Sequence, residues 1–155
     1  MESDSKSREG VATIVVGVDG SDGGLRALEW AIQEATFRKM RVRAIGIVQI
    51  HLVALSVPGY PYADERYIND LVESVRKMVA DQVDAANPDR AVEVTVDAVM
   101  GAPAEVLVEA SKGAEMLVVG SRGRGGFTGL LLGSVSQQCV SHAQGPVAVI
   151  RQRKS

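Results

Sequence analysis

The stretch "TIVVGVDGSDGG" (residues 13–24) indicates the fold of this chain. Its first seven residues are nearly all apolar and rich in β-branched side chains, which is typical of a parallel strand buried on both faces. Ser21 or Asp22 can then cap a helix, because their side-chain oxygens accept hydrogen bonds from the first helical N–H groups. Apolar residues recur at helical spacing from Leu25 to Phe37. The stretch therefore predicts a buried strand that leads into a helix.

The rest of the chain continues this alternation. Buried strands are predicted at residues 42–48 and 116–120, a last strand at residues 146–150, and an alternating strand, typical of a sheet edge, at residues 92–99. Amphipathic helices are predicted at residues 68–83, ended by residues 87–89, and at residues 103–113 and 134–142. Residues 51–65 contain two prolines and two tyrosines without a clear period, and they predict a loop.

Alternating strands and helices predict an α/β, Rossmann-like fold with an open five-stranded parallel sheet and helices on both faces. The alternating third strand suits an edge and the apolar strands 1, 2 and 4 suit the interior, so the strand order 3-2-1-4-5 is expected. The chain direction then reverses between strands 1 and 4, where ligands of such sheets bind beyond the carboxyl ends of the strands. This topology brings Asp19 close to the glycine-rich segment that follows strand 4.

Composition narrows the class of protein. The chain of 155 residues predicts one domain at residues 11–151, with a flexible arm at residues 1–10 and a basic tail at residues 152–155. The net charge of −2 favours neither nucleic acid nor an anionic membrane. No apolar run reaches the ~18 residues of a membrane span, and the first residues lack the apolar core of a signal peptide. The single Cys139 excludes an internal disulfide. These features predict a cytoplasmic protein.

The glycine-rich stretch "GSRGRGGFTGLLLGS" (residues 120–134) predicts an anion site. It runs into a helix N-terminus, where free N–H groups and the helix dipole favour a phosphate. Neither G-x-x-x-x-G-K-[ST] nor G-x-G-x-x-G is present, so the common phosphate-binding loops are excluded. The alternative is a mobile surface loop without a ligand. The residues expected to serve a phosphate are Gly120, Arg122, Gly123, Arg124, Gly133, Ser134 and Ser136, the two serines through their hydroxyl groups.

Three blocks in order, "VVGVDGS", "GAPAEVLVEAS" and "LVVGSRGRGGFTGLLLGSVS", resemble the universal stress protein family over residues 12–151. The last block matches the pattern G-x2-G-x9-G-[ST] of the family's ATP-binding branch. The resemblance implies the sheet predicted above and ATP as the ligand. Arg122 departs from the histidine that some relatives carry. The resemblance implies nucleotide contacts for Gly17, Val18, Asp19, Ile47, Val119, Gly120, Arg122, Gly123, Gly133, Ser134, Val135 and Ser136.

Several single residues have two interpretations. Asp19 is either a nucleotide contact or a turn-former, and Cys139 is either a buried packing residue or a redox sensor. The two histidines, His51 and His142, lie where no acid–base partner is evident. No ligand spacing predicts a metal site made by the protein, so Mg²⁺ is expected to arrive with the nucleotide.

Three functions are compatible with these residues. The first is an ATP-binding regulator of the stress response, with a cyclic nucleotide as a variant ligand. The second is a slow ATP hydrolase, since no general base is evident. The third is a nucleotide-free dimeric interaction protein.

Strand 146–150 is apolar at a predicted sheet edge, so a homodimer through this strand is expected, as the resemblance also implies. A monomer with this strand covered by its own termini is the alternative.

Overall fold

The computed structural model describes residues 10–50, 58–59, 64–122 and 132–152. Strands and helices alternate along these residues, as predicted. The strands are β1 (Thr13–Gly17), β2 (Arg41–Val48), β3 (Val94–Met100), β4 (Met116–Gly120) and β5 (Val147–Ile150). The helices are α1 (Asp22–Arg38), α2 (Glu65–Ala86), α3 (Pro103–Ser111) and α4 (Ser134–His142).

The five strands form one parallel sheet in the order β3-β2-β1-β4-β5, which confirms the predicted topology. The central strand β1 pairs Val15 with Arg43 of β2 on one side and with Leu117 of β4 on the other. β2 and β3 lie on one side of β1, and β4 and β5, which come later in the chain, lie on the other side. The switch point therefore lies between β1 and β4, where a cleft opens at the carboxyl ends of the strands.

Two apolar clusters hold the helices on the two faces of the sheet. On one face, Ile14 and Val16 pack with Leu28 of α1 and Val79 of α2. On the other face, Val15 and its neighbours pack with Leu107 of α3 and Cys139 of α4. Successive residues of β1 thus point to opposite faces, and both faces are covered, as its apolar run predicts. None of the helices in the described ranges combines the length and apolarity needed to cross a bilayer.

Four strands differ from the prediction at their ends. β2 begins one residue early, at Arg41, and the other three differences each have a local reason. β1 ends at Gly17 rather than at residue 19, because the Asp19 side chain bonds forward into the turn. β3 spans residues 94–100 rather than 92–99; Val92 is buried, but its carbonyl accepts from the Asn87 side chain at 2.9 Å instead of pairing. β5 begins after Pro146, which has no N–H to donate to the ladder.

The helix boundaries follow their caps. Ser21 caps α1 by accepting a hydrogen bond from the Gly24 N–H at 3.1 Å, and the helix continues one residue past Phe37. Asp64 caps α2, which begins at Glu65 and so occupies the last position of the predicted loop 51–65. Residues 58–59 of that loop form a turn, and residues 51–57 and 60–63 lie outside the described residues.

Candidate functional site

A cleft of about 690 Å³ lies at the carboxyl ends of β1, β2 and β4. This volume is within the range of about 300–1,000 Å³ that small-molecule sites occupy. Eleven of the twelve predicted contact residues line the cleft, and Gly123 lies outside the described residues. The lining residues that were predicted are Gly17, Val18, Asp19, Ile47, Val119, Gly120, Arg122, Gly133, Ser134, Val135 and Ser136.

The loop after β1 and the loop after β4 approach each other at backbone distance. A Cβ atom on Gly23 would lie 2.8 Å from the Arg122 carbonyl oxygen, and one on Gly120 would lie 2.9 Å from the Gly23 carbonyl oxygen. Real Cβ atoms do not come this close to backbone atoms, so a side chain at either position would force the backbone to shift. These two glycines set the spacing between the two loops that line the cleft.

Asp19 shapes the first of these loops. Its Oδ1 atom accepts hydrogen bonds from the Ser21 N–H, at 3.0 Å, and from the Ser21 hydroxyl. The same serine oxygen accepts from Gly24, so Asp19, Ser21 and the start of α1 form one hydrogen-bonded turn. The turn-forming interpretation of Asp19 is confirmed. Because Asp19 also lines the cleft, this role does not replace the predicted nucleotide contact.

The N-terminus of α4 forms the opposite wall of the cleft. Its N-cap is Gly133, which has no side chain to accept the first N–H groups. The first bond to an i−4 carbonyl within this helix comes from the Gln137 N–H, which donates to the Gly133 carbonyl at 3.0 Å. Residues 134–136 therefore present three N–H groups at a positive helix end, next to the cleft. α1 and α2 are capped by the side chains of Ser21 and Asp64, whereas α3, like α4, has no capping side chain at its N-cap residue.

The hydroxyl group of Ser136 has its hydrogen-bond partners in the backbone. Ser136 is 2% exposed, and its Oγ lies 2.9 Å from the Gly133 carbonyl oxygen and 3.1 Å from that of Ser121. A hydroxyl has one proton, and here that proton is donated to backbone carbonyls. This hydroxyl is therefore engaged by the backbone in the structure, and its predicted donation to a phosphate stays a prediction. Ser134, in contrast, is exposed at the cleft.

The charges in the cleft are few. Among the described lining residues, Asp19 and the exposed Arg122 carry formal charges. Within the described ranges, no three His, Cys, Asp or Glu side chains gather closely enough to hold a metal ion. The positive end of α4 and Arg122 together favour an anion at this wall of the cleft.

The sequence prediction missed part of the lining. Val75 and Met78 enter from α2, Pro103 and Leu107 from α3, and Gln49 follows β2. Gly24, Leu132 and Gln137 complete the missed set. The position of Gln49 just past the carboxyl end of a strand was a usable signal. The helical residues gave none, because apolar residues on an amphipathic face are expected to be core.

One glycine explains how α2 reaches the cleft. A Cβ on Gly46 of β2 would lie 2.6 Å from Val75 Cγ1 and 2.7 Å from Val79 Cγ2. Without a side chain at this position, α2 packs directly onto the strand. Val75 and Met78 therefore form an apolar wall at the β2 end of the cleft, away from the positive end of α4.

Cys139 and His142 lie on α4. Cys139 is fully buried, which confirms its interpretation as a packing residue, and burial raises the pKa of its thiol. His142 occupies the last turn, where its Nδ1 lies 2.9 Å from the Gln138 carbonyl oxygen. His51 lies outside the described residues.

Comparisons with known proteins agree on the family. Residues 10–151 match the model of the universal stress protein family. Universal stress protein Rv1996 of Mycobacterium tuberculosis is 35% identical over 152 residues, which cover 88% of this chain and 47% of the relative. Rv2624c of the same organism is 33% identical over 141 residues, covering 91% of this chain and 48% of the relative. The chain spans about half the length of these curated relatives.

Two solved structures are similar. A universal stress protein in complex with cAMP is 28% identical, with a TM-score of 0.62, over 90% of this chain and 95% of that chain. The protein MJ0577 has a TM-score of 0.74 over 93% of this chain and 98% of that chain; at 21% identity it supports the fold alone. By its sequence and by its fold, this chain belongs to the universal stress protein family.

Proposed function

We propose that the chain binds ATP in the cleft between β1 and β4, and that nucleotide occupancy serves a regulatory role in the stress response. The observation that carries this proposal is the N-terminus of α4, whose N-cap residue Gly133 has no capping side chain and which lies at a cleft of nucleotide size at the topological switch point. The N–H groups of residues 134–136 would hold phosphate, as the family resemblance implies. Arg122 would add positive charge. The proposed compartment is the cytoplasm.

The adenosine would lie toward β2. The walls there come from Ile47, Val75 and Met78, which suit the faces of an aromatic base, and Gln49 offers an amide to its polar edge. Asp19 lies at the end of β1, between this apolar wall and α4. Mg²⁺ would neutralise the triphosphate and be held largely by phosphate oxygens, with Asp19 as the one carboxylate among the described lining residues.

A substitution at Ser134 tests the phosphate site without disturbing the fold. Ser134→Asp places a negative charge in the first turn of α4, which favours the helix but repels phosphate. Calorimetric titration should show ATP affinity reduced at least about 10-fold, or about 1.4 kcal/mol. Gln138→Glu adds the same charge one turn along the helix, at an exposed position outside the cleft lining, and should bind as the wild type does. Unchanged ATP affinity in Ser134→Asp would contradict the proposed placement.

A cyclic nucleotide is the second candidate ligand, because the relative solved in complex with cAMP is 28% identical to this chain. A site at the N-terminus of a helix can bind a single phosphate group as well as a triphosphate. Titration with ATP and with cAMP under the same conditions ranks the two. Identification of the small molecule released when the purified protein is denatured reports which one is carried from the cell.

We propose that any ATP turnover is slow. The Asp19 carboxylate already accepts two hydrogen bonds from Ser21, so it is a poor candidate for a general base. Phosphate release by the purified protein with Mg²⁺ should stay well below ~1 s⁻¹, the lower end of ordinary enzyme rates. A rate at or above that value would favour the hydrolase.

We propose a homodimer through β5. The N–H groups of Leu117 and Ser121 donate to the carbonyls of Pro146 and Ile150, respectively. In β5, the backbone groups of even-numbered residues therefore bond to β4, and those of odd-numbered residues face the open edge of the sheet. All four residues of β5 are half-buried apolar side chains, which is unusual for an exposed edge. Val149→Pro removes an outward N–H and leaves the β4–β5 ladder intact. Light scattering should show a dimeric wild type and a more monomeric variant; a wild-type monomer at tens of micromolar would exclude this dimer.

A further inference from the structure

The hydroxyl of Ser136 joins the two ends of the glycine-rich segment. One end is Ser121, which follows β4, and the other is Gly133, the N-cap residue of α4. The Ser136 hydroxyl lies within hydrogen-bond distance of both of their carbonyl oxygens, at 3.1 and 2.9 Å. The side chain is 2% exposed, so water does not compete for its proton.

Ser121 is itself held on both sides. Its carbonyl oxygen also accepts from the Gly133 N–H at 2.6 Å, and its own N–H donates to the Ile150 carbonyl at 2.9 Å. Ser121 is 5% exposed. The start of α4 is therefore anchored through Ser121 to Ile150, at the end of β5. The Ser136 hydroxyl is the side-chain component of this anchor.

Ser134 has the opposite properties two residues earlier. It is exposed in the cleft, at the first position of α4. A ligand at the helix N-terminus can reach its hydroxyl, whereas the Ser136 hydroxyl points into the backbone of residues 121 and 133. The two serines of the "GSVS" motif thus differ in chemistry, although the sequence presents them as equivalent.

We propose that Ser136 is a positioning residue of the phosphate site. Its hydroxyl fixes the first turn of α4 against Ser121, so that the N–H groups of residues 134–136 converge on one point. The hydroxyl itself does not touch the phosphate. This inference rests on the proposed nucleotide binding and assigns Ser136 a role different from direct contact.

Paired alanine variants test the assignment. Ser136→Ala should lower the Tm of the nucleotide-free protein by about 2–4 °C, because a buried hydrogen bond is lost. It should also weaken ATP binding about 5- to 10-fold while leaving adenosine binding, followed by ligand-observed NMR, within about 2-fold of wild type. Ser134→Ala should weaken ATP binding without changing the Tm of the free protein. Ser136→Cys fills the space with a weaker donor and should behave like Ser136→Ala, which separates the hydrogen bond from packing.

Each other outcome has a defined meaning. If Ser136→Ala weakens ATP binding with no change in Tm, the hydroxyl is a direct ligand and the inference is wrong. If the Tm falls but ATP and adenosine affinities stay at wild-type values, the role is structural only and the inference is equally wrong. If the wild type binds neither nucleotide, the proposed function fails, and the positioning role fails with it. If the wild type binds ATP and Ser136→Ala gives either of the first two results, the positioning role is wrong but the proposed nucleotide binding stands.

Discussion

Gly23, in the first turn of α1, lies against the backbone of the segment that follows β4. A Cβ at this position would be 2.8 Å from the Arg122 carbonyl oxygen. The Arg122 oxygen is a backbone atom and the Cβ position is set by the backbone of α1, so neither can rotate away as the end of a side chain could. Gly23→Ala therefore forces the β1–α1 loop and the residues after β4 apart, and these two segments line the cleft.

The expected magnitude follows from two opposing terms. Overpacking costs about 1–3 kcal/mol, and a backbone clash belongs in the upper part of that range. Replacing a helical glycine by alanine recovers up to about 1 kcal/mol of helix propensity. The net loss of unfolding free energy is about 1–2 kcal/mol, which lowers the Tm by roughly 2–8 °C in a domain of this size. Urea unfolding and calorimetry measure both values.

Gly145→Ala is the matched control, because a Cβ there meets nothing within 4 Å. It should be neutral or raise stability by up to about 1 kcal/mol, because alanine reduces the entropy of the unfolded chain. Gly120→Ala addresses the same contact from the other side, 2.9 Å from the Gly23 carbonyl oxygen. The double variant Gly23→Ala/Gly120→Ala should lose less than the sum of the single losses, since one separation relieves both clashes. A Gly23→Ala protein as stable as the wild type would refute this reasoning.

Two further predictions concern buried polar groups. Asn87 is 8% exposed, and its Nδ2 donates to the Val92 carbonyl at 2.9 Å. Asn87→Ala should therefore lower the free energy of unfolding, measured in urea, by about 1–3 kcal/mol. A variant as stable as the wild type would contradict this prediction. Burial raises the pKa of the Cys139 thiol. Above about pH 8.5, the ordinary pKa of a thiol, the unfolded chain therefore ionises this group while the folded chain keeps it neutral. The free energy of unfolding should fall as the pH rises through this range. Urea midpoints at pH 7.5 and 9.5 should differ more for the wild type than for Cys139→Ala, and equal shifts would exclude this linkage.

The sequence by itself determined the order of the elements and the sheet topology. Both follow from local signals: β-branched apolar runs for β1 and β4, helical periodicity in α1, and an alternating pattern in β3. These signals act between residues that are close in sequence, and parallel connections leave few topologies. The same reasoning located one wall of the cleft, because a glycine-rich segment entering a helix is itself a local feature.

Only the tertiary structure decided how the cleft is completed and which hydroxyl faces it. Val75 and Met78 enter the cleft because Gly46 lets α2 pack onto β2, and that contact joins residues about thirty positions apart in the chain. Ser136 and Ser134 have the same side chain in the same motif, but Ser136 turns inward because the carbonyls of Gly133 and Ser121 lie within hydrogen-bond distance of its hydroxyl. The sequence shows which side chains are present. Which atoms these side chains contact depends on packing between segments that are distant in the chain, and a local sequence pattern does not predict this packing.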